Sequence, residues 1–176
     1  ETIQTFAPWI QRVKDTRFNS DYFNVGFPYV QPGSDKVEGY EIRGYGSFKR
    51  KATGTNSTTA AWIVDFSQNH NPQDIKNVYF AESAYDIMAF YQANKARLQA
   101  ELDQSVFVSI GGTFSNQQVG GIMNYYANAR AVDCFDNDVP GRIYGMRMVS
   151  VVEKVPLNIV QTDDAIRVSH NGQEHQ

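Results

Sequence analysis

From Asn77 onward, short unbroken apolar runs alternate with stretches of helical period, and no other feature limits the possible folds as strongly. VYFA (78–81), VFVSI (106–110) and AVDCF (131–135) are too short to be helices and show no polar alternation. Strands of that kind are buried on both faces, as in a parallel sheet whose crossover helices cover both sides. The intervening segments supply those helices. Ser83 to Leu102 carries Ala84, Ile87, Met88, Tyr91, Leu98 and Leu102 at helical spacing, and Ser83 with Asp86 forms a capping box whose acid is one carbon short. A second helix is expected from about Asn116 to Ala129, with Val119, Ile122, Met123 and Tyr126 inward. A third runs from Pro140 to Val149, with proline in the first turn where its missing N–H costs nothing. The later VEKVPLNIV and AIRVS segments are expected to add edge strands.

Residues 1–72 read differently. VGFPYV, a Gln31-Pro32-Gly33-Ser34-Asp35 turn, KVEGYEIRGYG and AAWIVDF are short strands punctuated by turns, as antiparallel pairing requires. The polar stretch Ser67-Gln68-Asn69-His70-Asn71-Pro72 marks the expected boundary between this β-rich lobe and an α/β domain over 73–176.

Composition narrows the function. With 41% hydrophobic residues and no apolar run long enough to span a bilayer, the chain is expected to be a soluble globular protein. The single Cys134 excludes an internal disulfide framework and a cysteine zinc cluster, which fits a reducing, cytoplasmic setting. ETIQTF is neither an initiator methionine nor a basic-then-apolar leader, so a mature product or a piece of a longer protein is expected. A net charge of −3 argues against a protein that coats nucleic acid, so any such contact has to be local. Lys36 to Lys51 is one local basic stretch, with five basic residues against two acidic ones.

In open parallel sheets ligands bind beyond the carboxyl ends of the strands. Here those ends carry Ala81-Glu82, then Gly111-Gly112-Thr113, then Asp136-Asn137-Asp138. Two acids separated by one residue at a strand end can point to one side and converge on a hard cation such as Mg²⁺ or Mn²⁺. A third carboxylate from the neighbouring strand completes the shell or handles protons beside it. The glycines leave room for a phosphate and offer backbone N–H groups. Each element alone has an ordinary explanation: Asp136 to Gly141 as an acidic turn capping a helix, Glu82 as a helix-start acid, the glycines as a turn. Their arrival at three successive strand ends favours a shared site.

These residues resemble the topoisomerase-primase, or Toprim, family. AESAYD, SIGGT and CFDNDVPGR fall in the family's order of glutamate, glycine and D-x-D, closest to its primase-like branch. Serine at position 83 replaces a usual glycine, while Gly141 and Arg142 are kept. Upstream, FPY, GYEIRG and FKRKATGTN look like the lobe that precedes Toprim in bacterial primases, so the resemblance runs from about Val25 to Val149. It implies a small parallel Rossmannoid sheet flanked by helices. It also implies Asp136 and Asp138 as Mg²⁺ ligands, Glu82 as general acid or base or further ligand, and Asp86 as holder of a second metal or its water. Arg43, Lys49, Lys51 and Arg142, with Gly111 and Gly112, would meet phosphates or an incoming nucleotide. Asp163 and Asp164 are the only candidates for a further downstream acidic cluster, and a zinc-binding module that commonly precedes such domains is missing.

The implied activity is Mg²⁺-dependent phosphoryl transfer on nucleic acid. Primer synthesis on single-stranded DNA comes first, in replication or mobilisation of a plasmid, phage or conjugative element, with a helicase or zinc-binding module as partner. The alternatives are a Toprim nuclease and a non-catalytic module that binds nucleic acid or a partner. A D-x-D phosphatase is disfavoured, because in that fold the motif follows the first strand and too little chain follows Asp138.

Overall fold

The computed structural model describes residues 1–14, 22–162, 165–170 and 173–175; Asp163 and Asp164 lie outside them. Two sheets dominate. The first is antiparallel, in the order β1 (Gln11–Val13), β2 (Asn24–Pro28), β3 (Tyr40–Arg43), β4 (Lys49–Lys51). The expected turn follows β2, where Ser34 N–H donates to the Gln31 carbonyl at 3.0 Å. Gly33 takes the positive φ of 72° that the third position of a Pro-Gly turn demands.

The second sheet contains β5 (Trp62–Asp65), β6 (Asn77–Ala81), β7 (Ser105–Ser109) and β8 (Arg130–Asp133), in the order β5-β7-β6-β8. β6 runs parallel to both β7 and β8. β6 and β7 are buried along their whole length, which is why their sequences lack polar alternation. Tyr79, Ala81 and Phe107 face one layer, with Phe6 of α1 (Thr2–Phe6) and Ile87, Met88 and Tyr91 of α2 (Ala84–Leu98). Val78, Phe80, Val106 and Val108 face the other, against α3 (Asn116–Tyr125) and α4 (Val139–Val152) through Val119, Ile122 and Met148.

Two strand expectations are corrected. AAWIVDF, expected in the β-rich lobe, supplies β5, the antiparallel edge of the second sheet, with Trp62 opposite Ser109 and Asp65 opposite Val106. Burial decides this: Trp62 is sealed between Phe6 and Phe27 and donates its Nε1–H to the Trp9 carbonyl at 2.8 Å. The C-terminal segments do not extend that sheet. β9 (Asn158–Gln161), β10 (Ile166–His170) and β11 (Gln173–His175) form their own antiparallel meander beside α4, because β9 pairs with β10 instead of with an edge of the larger sheet. Cys134 packs partly buried against the core, and burial pushes its thiol up to about 12.

Candidate active site

The parallel pairing delivers the ends of β6, β7 and β8 to one rim. Backbone bonds lock them together beyond the strands: Ile110 N–H to the Ala81 carbonyl at 3.2 Å, Gly112 N–H to Glu82 at 2.8 Å and Cys134 N–H to Phe80 at 2.9 Å. Glu82 is thereby tied to the glycine loop. At α2 the expected cap is formed, with Ser83 Oγ accepting from Asp86 N–H at 3.3 Å and donating to Asp86 Oδ2 at 2.6 Å.

The acids of the rim influence one another through their charges. The Glu82 carboxyl is held above the ordinary carboxylate range by burial, then by Asp136, Asp138 and Asp86, against a smaller opposing pull from Lys49. Acids more than fifty positions apart therefore feel one another across the rim. Glu82 Oε1 is shielded from water and has no hydrogen-bond partner, a costly state for a carboxylate oxygen. Among the described residues no three His, Cys, Asp or Glu side chains stand close enough to form a ready metal shell. The donor chemistry nevertheless suits a hard divalent cation: carboxylate oxygens only, mutually repelling, one of them desolvated and unpartnered.

Asp138 has a second task. Its Oδ1 accepts Gly141 N–H at 2.8 Å as the N-cap of α4, which is the structural reading of this acid. Asn caps as well as Asp, whereas Ala costs about 0.5–2 kcal/mol at an N-cap. Asp138→Asn is therefore expected to keep the urea midpoint and lose metal-dependent activity, while Asp138→Ala loses both. Gly141 lies against the same loop: a Cβ there would stand 2.0 Å from the Asp136 carbonyl oxygen, so α4 can start under the D-x-D loop only at a glycine.

The remaining sequence candidates divide. Lys49 lies within electrostatic reach of Glu82. Lys51 stands against Gly111, where a Cβ would meet its Cε at 2.7 Å and the Tyr29 hydroxyl at 1.9 Å; burial pulls the Lys51 ammonium below its usual range. Gly111 has φ 68°, so it is a packing and backbone glycine. Gly112 cannot present its N–H to a phosphate as expected, because that group already donates to Glu82. Arg142 is exposed at the start of α4 and donates to Asn137 at 3.2 Å. Arg43 is committed elsewhere: its Nε donates to Glu41 at 2.9 Å and its guanidinium lies 4.9 Å from the Tyr85 ring centre.

Glu41 is the residue that sequence reasoning missed. It is 1% exposed, accepts from Ser109 Oγ at 3.0 Å and from Ala84 N–H at 3.4 Å, and so joins β3 to the end of β7 and the first turn of α2. The only sequence signal was an acid two positions before an arginine on one strand, where both side chains share a face.

A mostly parallel sheet flanked by helices, with an acidic carboxyl rim, is the architecture of a Toprim-like domain. The chain belongs to the Toprim-like family, whose model matches residues 79–167. A Pseudomonas putida protein described as ATP-dependent RNA helicase RhlB is 27% identical over 153 residues, which are 85% of this chain and 38% of that protein. The chain thus spans well under half the length of that relative. Among solved structures, the bacteriophage T7 lagging-strand polymerase complex with primase domains bound to an RNA/DNA hybrid and dTTP is similar at 16% identity and TM-score 0.56, over 86% of this chain and 68% of that one. The T7 primase fragment is similar at 14% identity and TM-score 0.53, over 87% and 55%. These likenesses establish a shared fold. No helix among the described residues is long and apolar enough to cross a membrane.

Proposed function

We propose that the chain is the catalytic portion of a primase-like nucleotidyltransferase, acting on a single-stranded DNA template with nucleotides. The observation that carries this reading is the Glu82 carboxyl, whose Oε1 is shielded and unpartnered and which feels the charges of Asp136, Asp138, Asp86 and Lys49 at the strand-end rim. Asp136 and Asp138 would hold Mg²⁺ or Mn²⁺, with Glu82 and Asp86 as a further ligand or water holder. Once bound, the cation would neutralise charge developing on the transferred phosphoryl group and its leaving oxygen.

The protein's own residues do the rest. Glu82, whose carboxyl holds its proton to higher pH than usual, would take a proton from an attacking hydroxyl and return it. Lys49, Lys51 and Arg142 would meet phosphate oxygens from the lobe and from α4. A helicase and a zinc-binding module are the partners this reading assigns, and replication or mobilisation of a plasmid, phage or conjugative element is its setting.

Incubation with Mg²⁺ or Mn²⁺, single-stranded template and labelled nucleotides tests it. Primer products support the proposal; a shortened template identifies a nuclease instead. Neither product, with binding unchanged in Asp136→Asn, identifies a non-catalytic module.

The raised Glu82 pKa also makes a stability prediction. The folded state holds this proton above the ordinary value of 4.5, so the group costs stability as pH rises through the window above that value. Without metal, Glu82→Gln is expected to melt above the wild type at pH 7, the gap closing towards pH 4. Added Mg²⁺ should raise the wild-type midpoint more than that of Glu82→Gln. A constant gap across that range would contradict the assignment.

A further inference from the structure

β5 borders the second sheet, and its outer edge is only partly closed. Ala61 exchanges two backbone hydrogen bonds with Val30 across that edge, at 2.8 and 3.1 Å. Backbone groups of a strand alternate sides, so the N–H and C=O of Ile63 and Asp65 point the same way as those of Ala61, away from β7. Continuing the Val30–Ala61 register would set Pro28 against Ile63, and proline has no N–H to give. β2 pairs with β1 and β3 instead. Among the described residues nothing bonds the outward backbone groups of Ile63 and Asp65. Ile63 is nevertheless only 7% exposed, and shielded backbone groups are nearly always hydrogen-bonded.

A cleft of about 450 Å³ lies along this edge, within the ordinary size of a ligand site. It wraps both faces of the strand: Trp9 lines it on the side of Trp62 and Val64, Tyr125 and Tyr126 on the side of Ile63. A strand laid there would send alternate side chains to the two walls. The walls differ in charge. Asp65 shares the Ile63 side by alternation, Asp35 follows the turn whose Gly33 abuts Tyr125, and no Lys or Arg lines the cleft. Asp65 is already held, its Oδ1 by the Ser67 N–H and hydroxyl at 2.8 and 2.6 Å and its carboxylate by the Tyr126 hydroxyl, so it contributes mainly its field. Asp35 is exposed and makes no ion pair among the described residues. Because Asp65 stands opposite Val106 at the start of β7, the cleft extends towards the end of the sheet opposite the acidic rim.

We infer that this cleft binds an extended segment of a partner protein, which pairs with Ile63 and Asp65 and carries arginine or lysine at alternate positions with aliphatic residues between them. The cationic side chains lie along the tyrosine wall beside Asp35, and the aliphatic ones pack on Trp9. Main-chain bonds give such a strand its affinity and the two walls its selectivity. The binding does not depend on the activity proposed above.

The probe is the peptide acetyl-Arg-Val-Arg-Val-Arg-amide, added to the isotope-labelled full chain. Amide exchange at Ile63 and Asp65 is expected to slow by about 10-fold, the scale of one added hydrogen bond, and the Trp9 indole resonance to shift. Pairing also fixes a direction. Residues opposite Ile63 and Asp65 share their face, so the arginine backbone N–H groups bond β5 and the valine ones point away. Methylating the backbone nitrogen of the central arginine should abolish binding, whereas methylating that of a valine should weaken it far less. Glutamate in place of the arginines should also abolish it. Asp35→Asn should weaken binding by roughly 2- to 5-fold, as for an exposed ion pair, with an unchanged thermal midpoint. No binding, equal affinity of the two methylated peptides, or binding that leaves exchange at Ile63 and Asp65 unchanged would each overturn the inference.

Discussion

Replacing Asp136 by Asn is expected to lower metal-dependent phosphoryl transfer by about 100-fold or more, the scale of the several kcal/mol that a catalytic metal contributes. The folded chain should melt as the wild type does. The Asp136 side chain is exposed and Asn is nearly its isostere, so the change removes a charge and little else. A second readout accompanies the first. Among the charges acting on Glu82, Asp136 is the strongest, so its removal lets the Glu82 carboxyl ionise at lower pH. The acid limb of any residual pH–rate profile should move down accordingly. Activity within a few-fold of wild type would remove Asp136 from the chemistry.

The largest effect on stability is expected at Glu41. Glu41→Ala leaves the Arg43 guanidinium, 15% exposed, without its carboxylate, and deprives Ser109 Oγ and Ala84 N–H of their acceptor. Breaking one side of a buried ion pair costs about 3–5 kcal/mol, a large share of the roughly 5–15 kcal/mol that holds a domain together. Urea unfolding should show the lower midpoint. The double change Glu41→Ala with Arg43→Ala should cost less than the sum of the two single ones, because the second removes the charge stranded by the first. Additive costs would show that the pair is not coupled. Glu41 sits where β3, β7 and α2 meet, so partial loss of activity is also expected through displacement of the rim, with rescue by Glu41→Gln stronger than by Ala.

Helix and strand identities over residues 77–152 were legible because the local signals are strong. β6 and β7 are apolar on both faces, Ser83 and Asp86 cap α2 as their spacing implied, and Asp138 and Pro140 begin α4. The carboxylates of the rim were legible for a related reason. Strand ends are local features, and parallel order then obliges neighbouring ends to meet, as the Asn77–Ser105 and Asn77–Arg130 registers show. The glycine loop was half legible: a turn at Gly111 and Gly112 followed from residue type, but the partner of the Gly112 N–H did not.

What the chain's order of residues determined by itself was therefore periodicity, capping and the rim positions of Glu82, Asp136 and Asp138, all consequences of interactions within a few residues. Tertiary structure alone decided that Trp62–Asp65 joins the second sheet, that Glu41 is buried under Arg43 and against α2, and that Lys51 stands over Gly111. Those outcomes depend on which surfaces exclude water together. A strand such as AAWIVDF is equally apolar for either sheet, and only packing against Phe6, Phe27 and Phe107 chooses between them.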